Sequence, residues 1–388
     1  MRTRKCVLAL LLFVASVVSL CPITAIASSP LLAQSAPAET EQPKNEKPSS
    51  NGKPSSNEEK ISAEKVILGI VGGLAIFLFG VEQLARALKA VSGDKMKRLL
   101  ARFTTNPFAG LVSGTVATTA LDSSSVVIIM TIAMVHAGVL TFAQALGIVL
   151  GANIGTTIGG QIIAFDIAKY ASAFLLVGLL VHFFGSGDRW KNWGLAVIGA
   201  GLIFFGLDHI GSAMEPFKNY APFIETMKQL SSNPFFGVLL GAGFTVVIQS
   251  SSGTMGIVII LASDGLIPLP AAVHLMLGAE VGTCADTLVA SIGRSLDGFR
   301  TAIFHLLFNV ITVSIGLLFA NQLAAAGQWL AFGSDNVGRQ IANAHVLFNV
   351  AGALAFVGLV PMVAKILTRL IPDRRSRGET LTEGQAAH

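Results

Sequence analysis

The chain has 388 residues, 52% of them hydrophobic and 13% charged, with 40 glycines, a mean hydropathy of +0.68 and a formal net charge of +5. A soluble domain carries about 25% charged residues, so this composition excludes an ordinary soluble core and points to the bilayer. Lys and Arg cluster at the ends of apolar runs rather than on one basic face, which sets aside a nucleic-acid binder, and three cysteines are too few for a disulfide framework.

In chain order, residues 1–27 read as a secretory signal peptide. Arg2, Arg4 and Lys5 form its basic start, residues 7–20 its apolar stretch, and Ala25-Ile26-Ala27 a small-residue cleavage site. Residues 28–62 are rich in Pro, Ser, Asn, Glu and Lys, with KPSSN repeated at 47–51 and 53–57. Such a segment buries too little apolar surface to offset ordering entropy, so it is expected to be a disordered extracytoplasmic linker. Apolar length then predicts helical spans near 64–90, 171–186, 192–213, 301–320 and 338–370. Between them, 106–165 and 233–292 are hydrophobic but interrupted by Gly, Ser and Thr.

The interrupted stretches are copies of each other. Residues 106–157 align without a gap on 233–284, an offset of 127, with 17 identities in 52 positions. NPFAGLVSGTVATTALDSSS faces NPFFGVLLGAGFTVVIQSSS, and LGANIGTT faces LGAEVGTC. Chance likeness between apolar helices would not hold Asn, Pro and three serines in register. Loop charge gives the orientation. The loop after the first span holds Lys89, Lys95, Lys97, Arg98 and Arg102 against Asp94, whereas its counterpart balances Glu215 and Glu225 with Lys218 and Lys228. The positive-inside rule puts the first loop in the cytoplasm and the second outside, so the copies are inverted. Asp188, Arg189 and Lys191, then Arg294 and Arg300, then Arg369, Arg374, Arg375 and Arg377, all fall on the cytoplasmic side of that layout. The expected fold class is therefore an all-α polytopic membrane protein of two inverted repeats with broken helices and re-entrant hairpins. Its expected parts are repeat 1 over 63–186, repeat 2 over 187–320, a C-terminal membrane helix over 321–372 and a cytoplasmic tail over 373–388.

Backbone broken at membrane depth needs partners that lipid cannot give, so such breaks line enclosed or wet cavities. Asp122-Ser123-Ser124-Ser125 and Gln249-Ser250-Ser251-Ser252 each stand where a half-helix begins. Hydroxyls and free N–H groups there suit an anion, and carbonyl or carboxamide oxygens beside them suit Na⁺. Helix capping or close packing is the plainer role for one such triplet; two in register favour a site. Asn153, Gly155, Thr156 and Thr157 face Glu280, Gly282, Thr283 and Cys284 in a second motif pair, whose glycines are expected to allow another break. Asp122, Glu280 and Asp286 are acids in apolar surroundings, suited to ligating a cation or carrying a proton. His305 with Asn309, and His345 with Asn349, lie four residues apart on one helical face and are expected to hydrogen-bond between helices. No His/Cys metal set and no GxSxG elbow is present.

The doubled QSSS-type motif, each followed by GA-[NE]-x-GT, resembles the type II sodium–phosphate cotransporter family over roughly residues 64–370. The resemblance implies Na⁺-driven symport of inorganic phosphate by inverted repeats, with no enzymatic activity and no cofactor beyond the co-transported Na⁺. It implies phosphate at Ser123, Ser124, Ser125, Gln249, Ser250, Ser251 and Ser252, and sodium at Asp122, Asn153, Thr156, Thr157, Gln249, Glu280 and Thr283. Asp122 stands where the family has Gln, and Glu280 where it has Asn; two added negative charges suit a phosphate dianion only when cations or protons neutralise them. Another small anion or proton coupling is the alternative, with an intramembrane serine hydrolase a remote one. The expected setting is the inner (plasma) membrane, with the N-terminal tail outside and the C-terminus in the cytoplasm, in lipid and with room for a homo-oligomer.

Overall fold

The computed structural model describes residues 63–165 and 167–372. The expected signal peptide over 1–27, linker over 28–62 and cytoplasmic tail over 373–388 lie outside the described residues. The chain divides into two units at Leu68, and the membrane helices with both repeat copies belong to the second, from Gly69 onward. Its described residues are helical, with no strand among them.

The first helix, α1 (Ala63–Phe103), has 41 residues. At 1.5 Å per residue that is about 60 Å, twice a bilayer core of about 30 Å. Its far end carries the basic cluster, of which Lys95, Lys97, Arg98 and Arg102 lie beyond any apolar window. Asn106 caps the next helix through a bond from Ala109 N, with Pro107 placed where a missing N–H costs nothing. That helix, α2 (Pro107–Leu121), and α3 (Ser124–His136) have 15 and 13 residues, each too short to cross the bilayer. Thr141 and Gln144 form a capping box that starts α4 (Phe142–Ile163). Then come α5 (Ala171–Phe184) and α6 (Asp188–Met214).

The second copy follows with α7 (Ala221–Ser232), α8 (Pro234–Ile248), α9 (Ser251–Ser263), α10 (Leu269–Gly282) and α11 (Cys284–Ser291). The bounds of α8 and α9 lie 127 residues after those of α2 and α3, so the repeat read in the sequence reappears as repeated helix ends. Asn233 caps α8 as Asn106 caps α2. Gly138 and Gly265, also 127 apart, take positive φ values of 71° and 75° in matching turns. The chain closes with α12 (Leu296–Leu318), α13 (Ala320–Trp329), α14 (Val337–Val357) and α15 (Val360–Leu370). By length and composition, six helices among the described residues can cross a membrane, or seven if α7 and α8, bent by 106°, count as one broken span. The protein is a multi-pass membrane protein.

Two expectations change. The glycine of the first GT motif does not break its helix: α4 runs unbroken through Gly155, while the second copy is interrupted only at Thr283. The glycines serve contact instead. A Cβ at Gly151 would meet the backbone of Leu111 and Thr115, and one at Gly278 the backbone of Val238 and Ala242, again 127 residues on. Gly155 sits against Thr118, and Gly282 against Thr245. Small residues let α2 lie on α4, and α8 on α10, at backbone distance. The long span expected over 338–370 is two helices, α14 and α15, separated at Gly358 and Leu359. Pro361 starts the second, where it lacks only an N–H that would be free anyway.

Candidate functional site

Each serine triplet is a turn between two short helices. Asp122 (φ 48°, ψ 35°) and Gln249 (φ 60°, ψ 28°) occupy the left-handed region, which a side chain reaches at a cost of about 1–2 kcal/mol. Among the described residues Phe332 is the one further non-glycine with positive φ. Matched outliers at the two motifs point to function more than to accident. The next serine is a cap in both copies: Ser123 Oγ accepts from Val126 N at 3.3 Å and Ser250 Oγ from Gly253 N at 3.0 Å. Ser124 and Ser251 are buried in the first turn of α3 and α9. In the first copy the third serine reaches across to the second: Ser125 Oγ donates to Asp286 Oδ2 on α11 at 3.2 Å.

The turns also share a space. A cavity of about 360 Å³ is lined by Asp122 from the first turn and Ser250 and Ser252 from the second, with Thr119 and Gly159 beside them. The rest of its wall is largely apolar, including Phe77, Phe174, Ile203 and Phe204. The Asp122 carboxyl lies over Gly159, whose missing side chain leaves it room. Among the described residues Asp122 has no hydrogen-bond or ion-pair partner. A carboxylate in a mostly apolar wall is costly unless a cation or proton comes to it.

The GT-motif residues do not line this cavity. Asn153 Nδ2 donates to Val149 O at 2.9 Å, Thr156 Oγ1 to Ala152 O at 3.0 Å, Thr157 Oγ1 to Ile154 O at 2.8 Å and Thr283 Oγ1 to Ala279 O at 2.9 Å. Each binds its own helix. Gln249 is exposed, on the second turn. Glu280 is 4% exposed, and its Oε1 accepts from His345 Nε2 at 2.6 Å and Asn349 Nδ2 at 2.9 Å, both on α14. One turn on, Asn309 Nδ2 of α12 donates to Cys284 Sγ at 3.2 Å, and Thr287 Oγ1 pairs with His305 Nδ1 at 2.9 Å. The two His/Asn pairs therefore clamp successive turns of α10 and α11 from two helices, as interhelical hydrogen bonds. Which groups they hold was not legible in the sequence, nor was the Ser125–Asp286 link. The usable signal for the latter was the repeat carried two residues past its aligned block, where Gly159 faces Asp286.

Residues 76–212 and 220–359 match the family model of the Na⁺/Pi-cotransporter, each stretch holding one serine turn. An uncharacterized protein of Bacillus subtilis, YqeW, is 30% identical over 314 residues, covering 80% of this chain and 99% of its own length. The putative inorganic phosphate export protein YjbB of Escherichia coli (strain K12) is 24% identical over 79% of this chain, which spans 56% of that protein. The sodium-dependent phosphate transport protein 2A of Mus musculus is 28% identical over 146 residues, 36% of this chain and 21% of its own length. No solved structure matches the chain.

Proposed function

The chain belongs to the Na⁺/Pi-cotransporter family, and on that premise we propose that it is a sodium-coupled symporter of inorganic phosphate across the inner membrane. The observation that carries this reading is the cavity in which an unpartnered Asp122 meets Ser250 and Ser252 from the other serine turn. A phosphate oxygen takes the serine hydroxyls and the free N–H groups at the starts of α3 and α9, where the helix dipoles favour negative charge. Ser123, Ser124 and Ser125 serve in the first turn, and Gln249, Ser250, Ser251 and Ser252 in the second. Na⁺ takes oxygen ligands from Asp122 and Gln249, with Asn153, Thr156, Thr157, Glu280 and Thr283 contributing as the turns rearrange. Its charge offsets the carboxylates, so that a phosphate dianion can approach.

The copies act as inverted repeats. The matching helix ends and the uneven loop charge support that arrangement, with the basic end of α1 in the cytoplasm and α7 outside. Removal of residues 1–27 as a signal peptide, an extracytoplasmic segment over 28–62 and a cytoplasmic segment over 373–388 complete the layout. Relatives are named both for sodium-dependent transport and for export, so the test reads both directions. Purified protein in liposomes should move labelled phosphate down an imposed Na⁺ gradient, inward or outward. Ser251→Ala should abolish that flux, and flux unchanged by replacing Na⁺ with choline would refute the coupling. Proton coupling, or a different anion, is the second reading, favoured by the unpartnered Asp122. A pH series and competition by other oxyanions separate it from the first.

A further inference from the structure

Three stretches that the charge pattern assigns to the cytoplasm meet on one apolar core. Leu100 from the far end of α1, Ala302 and Phe304 from the first half of α12, and Val360 and Leu367 of α15 are all buried in it. What these helices leave outside is basic. On α1, Lys95, Arg98 and Arg102 stand at i, i+3 and i+7, exposed on one face. They border an open groove of about 650 Å³ whose other walls include Met96, Leu99 and Phe103. Phe103 is 61% exposed, and the Arg102 guanidinium lies 6.0 Å from the centre of its ring.

Helix α15 presents three faces. Val360, Val363, Ala364 and Leu367 turn to the core. Met362, Ile366 and Leu370, four residues apart, form an exposed apolar stripe. Lys365 and Arg369 form an exposed basic stripe beside it. One edge for protein, one for acyl chains and one for headgroups is the pattern of a helix lying in the membrane interface. Its end is held there by Arg300, which is 2% exposed. That side chain donates from Nε to Ile371 O at 3.0 Å, bonds the same carbonyl through its terminal nitrogen, and pairs with Asp297. The acid at the α1 end, Asp94, pairs with Lys97 at 3.4 Å, and α15 contains no acid.

We propose that this face binds anionic phospholipid. Headgroup phosphates are taken by Lys95, Arg98 and Arg102 on α1 and by Lys365 and Arg369 on α15, with acyl chains against Met362, Ile366 and Leu370. The inference rests on the cytoplasmic placement proposed above and needs neither Na⁺ nor phosphate transport. Basic clusters beside a span draw anionic headgroups. The exposed apolar side chains among the bases favour a lipid over free phosphate, which would leave them in water.

The full-length protein in detergent is melted while phosphatidylglycerol, phosphatidylcholine or inorganic phosphate is added at constant ionic strength. Phosphatidylglycerol should raise the melting temperature to a plateau, and the other two should not. Lys365→Gln with Arg369→Gln should raise the half-maximal phosphatidylglycerol concentration roughly thirtyfold, and so should Arg98→Gln with Arg102→Gln. Lys218→Gln with Lys228→Gln removes as many charges away from this face and should leave the midpoint unmoved. All six side chains are exposed, so their replacement spares the core. Equal stabilisation by phosphatidylcholine or inorganic phosphate overturns the proposal, as does a wild type that phosphatidylglycerol does not stabilise. So does an unmoved midpoint in either basic pair, or an equal rise in the Lys218 and Lys228 pair. A micelle has no sides and carries no gradient. Failure here therefore leaves the phosphate reading untouched, and failure of Na⁺-driven flux leaves this site standing.

Discussion

At the scale of single residues, the serine turns show how little sequence a site needs and how much the backbone adds. The first serine of each triplet spends its oxygen on a cap, the second is buried, and the third faces the opposite copy or the cavity. The triplets were legible because an apolar helix rarely carries three hydroxyls twice in register. The individual roles were not, because they depend on contacts between residues 161 apart in the chain, such as Ser125 and Asp286. Glu280 illustrates the same limit: its acidity in an apolar run stood out, while its partners His345 and Asn349 lie on a distant helix. His345→Ala leaves that buried acid short of a donor and should destabilise the protein by about 1–3 kcal/mol, as leaving a buried polar group unsatisfied does. Glu280→Gln, which keeps a hydrogen-bonding group of the same shape, should cost clearly less. Thermal melting of the purified variants checks the order, and equal losses would count against the clamp on α10 and α11.

At the scale of elements, the close helix pairs rest on glycine. Gly151→Ala would put a methyl group against the backbone of Leu111 and Thr115, and Gly278→Ala one against Val238 and Ala242. Each should cost about 1–3 kcal/mol by forcing α2 from α4, or α8 from α10. Gly243→Ala, in the same copy but facing open space, should be tolerated. Comparable losses at all three positions, read from melting curves, would contradict the packing account. The helix content and the short paired helices followed from apolar run length and the N-cap residues Asn106 and Asn233. The GT motifs misled because a glycine permits a break and a close contact equally well. Only the neighbouring helix, Thr118 beside Gly155 and Thr245 beside Gly282, decides between them. The end of the long span at 357 was hidden for a related reason, since Gly358 and Pro361 interrupt a run that is apolar from Val350 to Ala364.

At the scale of the whole molecule, duplication and charge make the argument for alternating access. In the proposed inverted arrangement, the two copies would bring their serine turns together near the middle of the bilayer and exchange which side the cavity opens to. Topology is open to a direct check. With Cys6 and Cys21 replaced by Ser and Cys284 buried, a cysteine introduced at Lys95 should react with an impermeant maleimide only from the cytoplasmic side, and one at Lys228 only from outside. Labelling of both from one side would leave the copies parallel. The central claim, that sodium drives phosphate through the paired turns, is tested most directly by flux in proteoliposomes. Labelled phosphate is followed with the Na⁺ gradient directed inward, directed outward, or absent. The account predicts net phosphate movement that reverses with the gradient, vanishes without it and is lost in Ser251→Ala. Phosphate flux of equal size under all three conditions would contradict it.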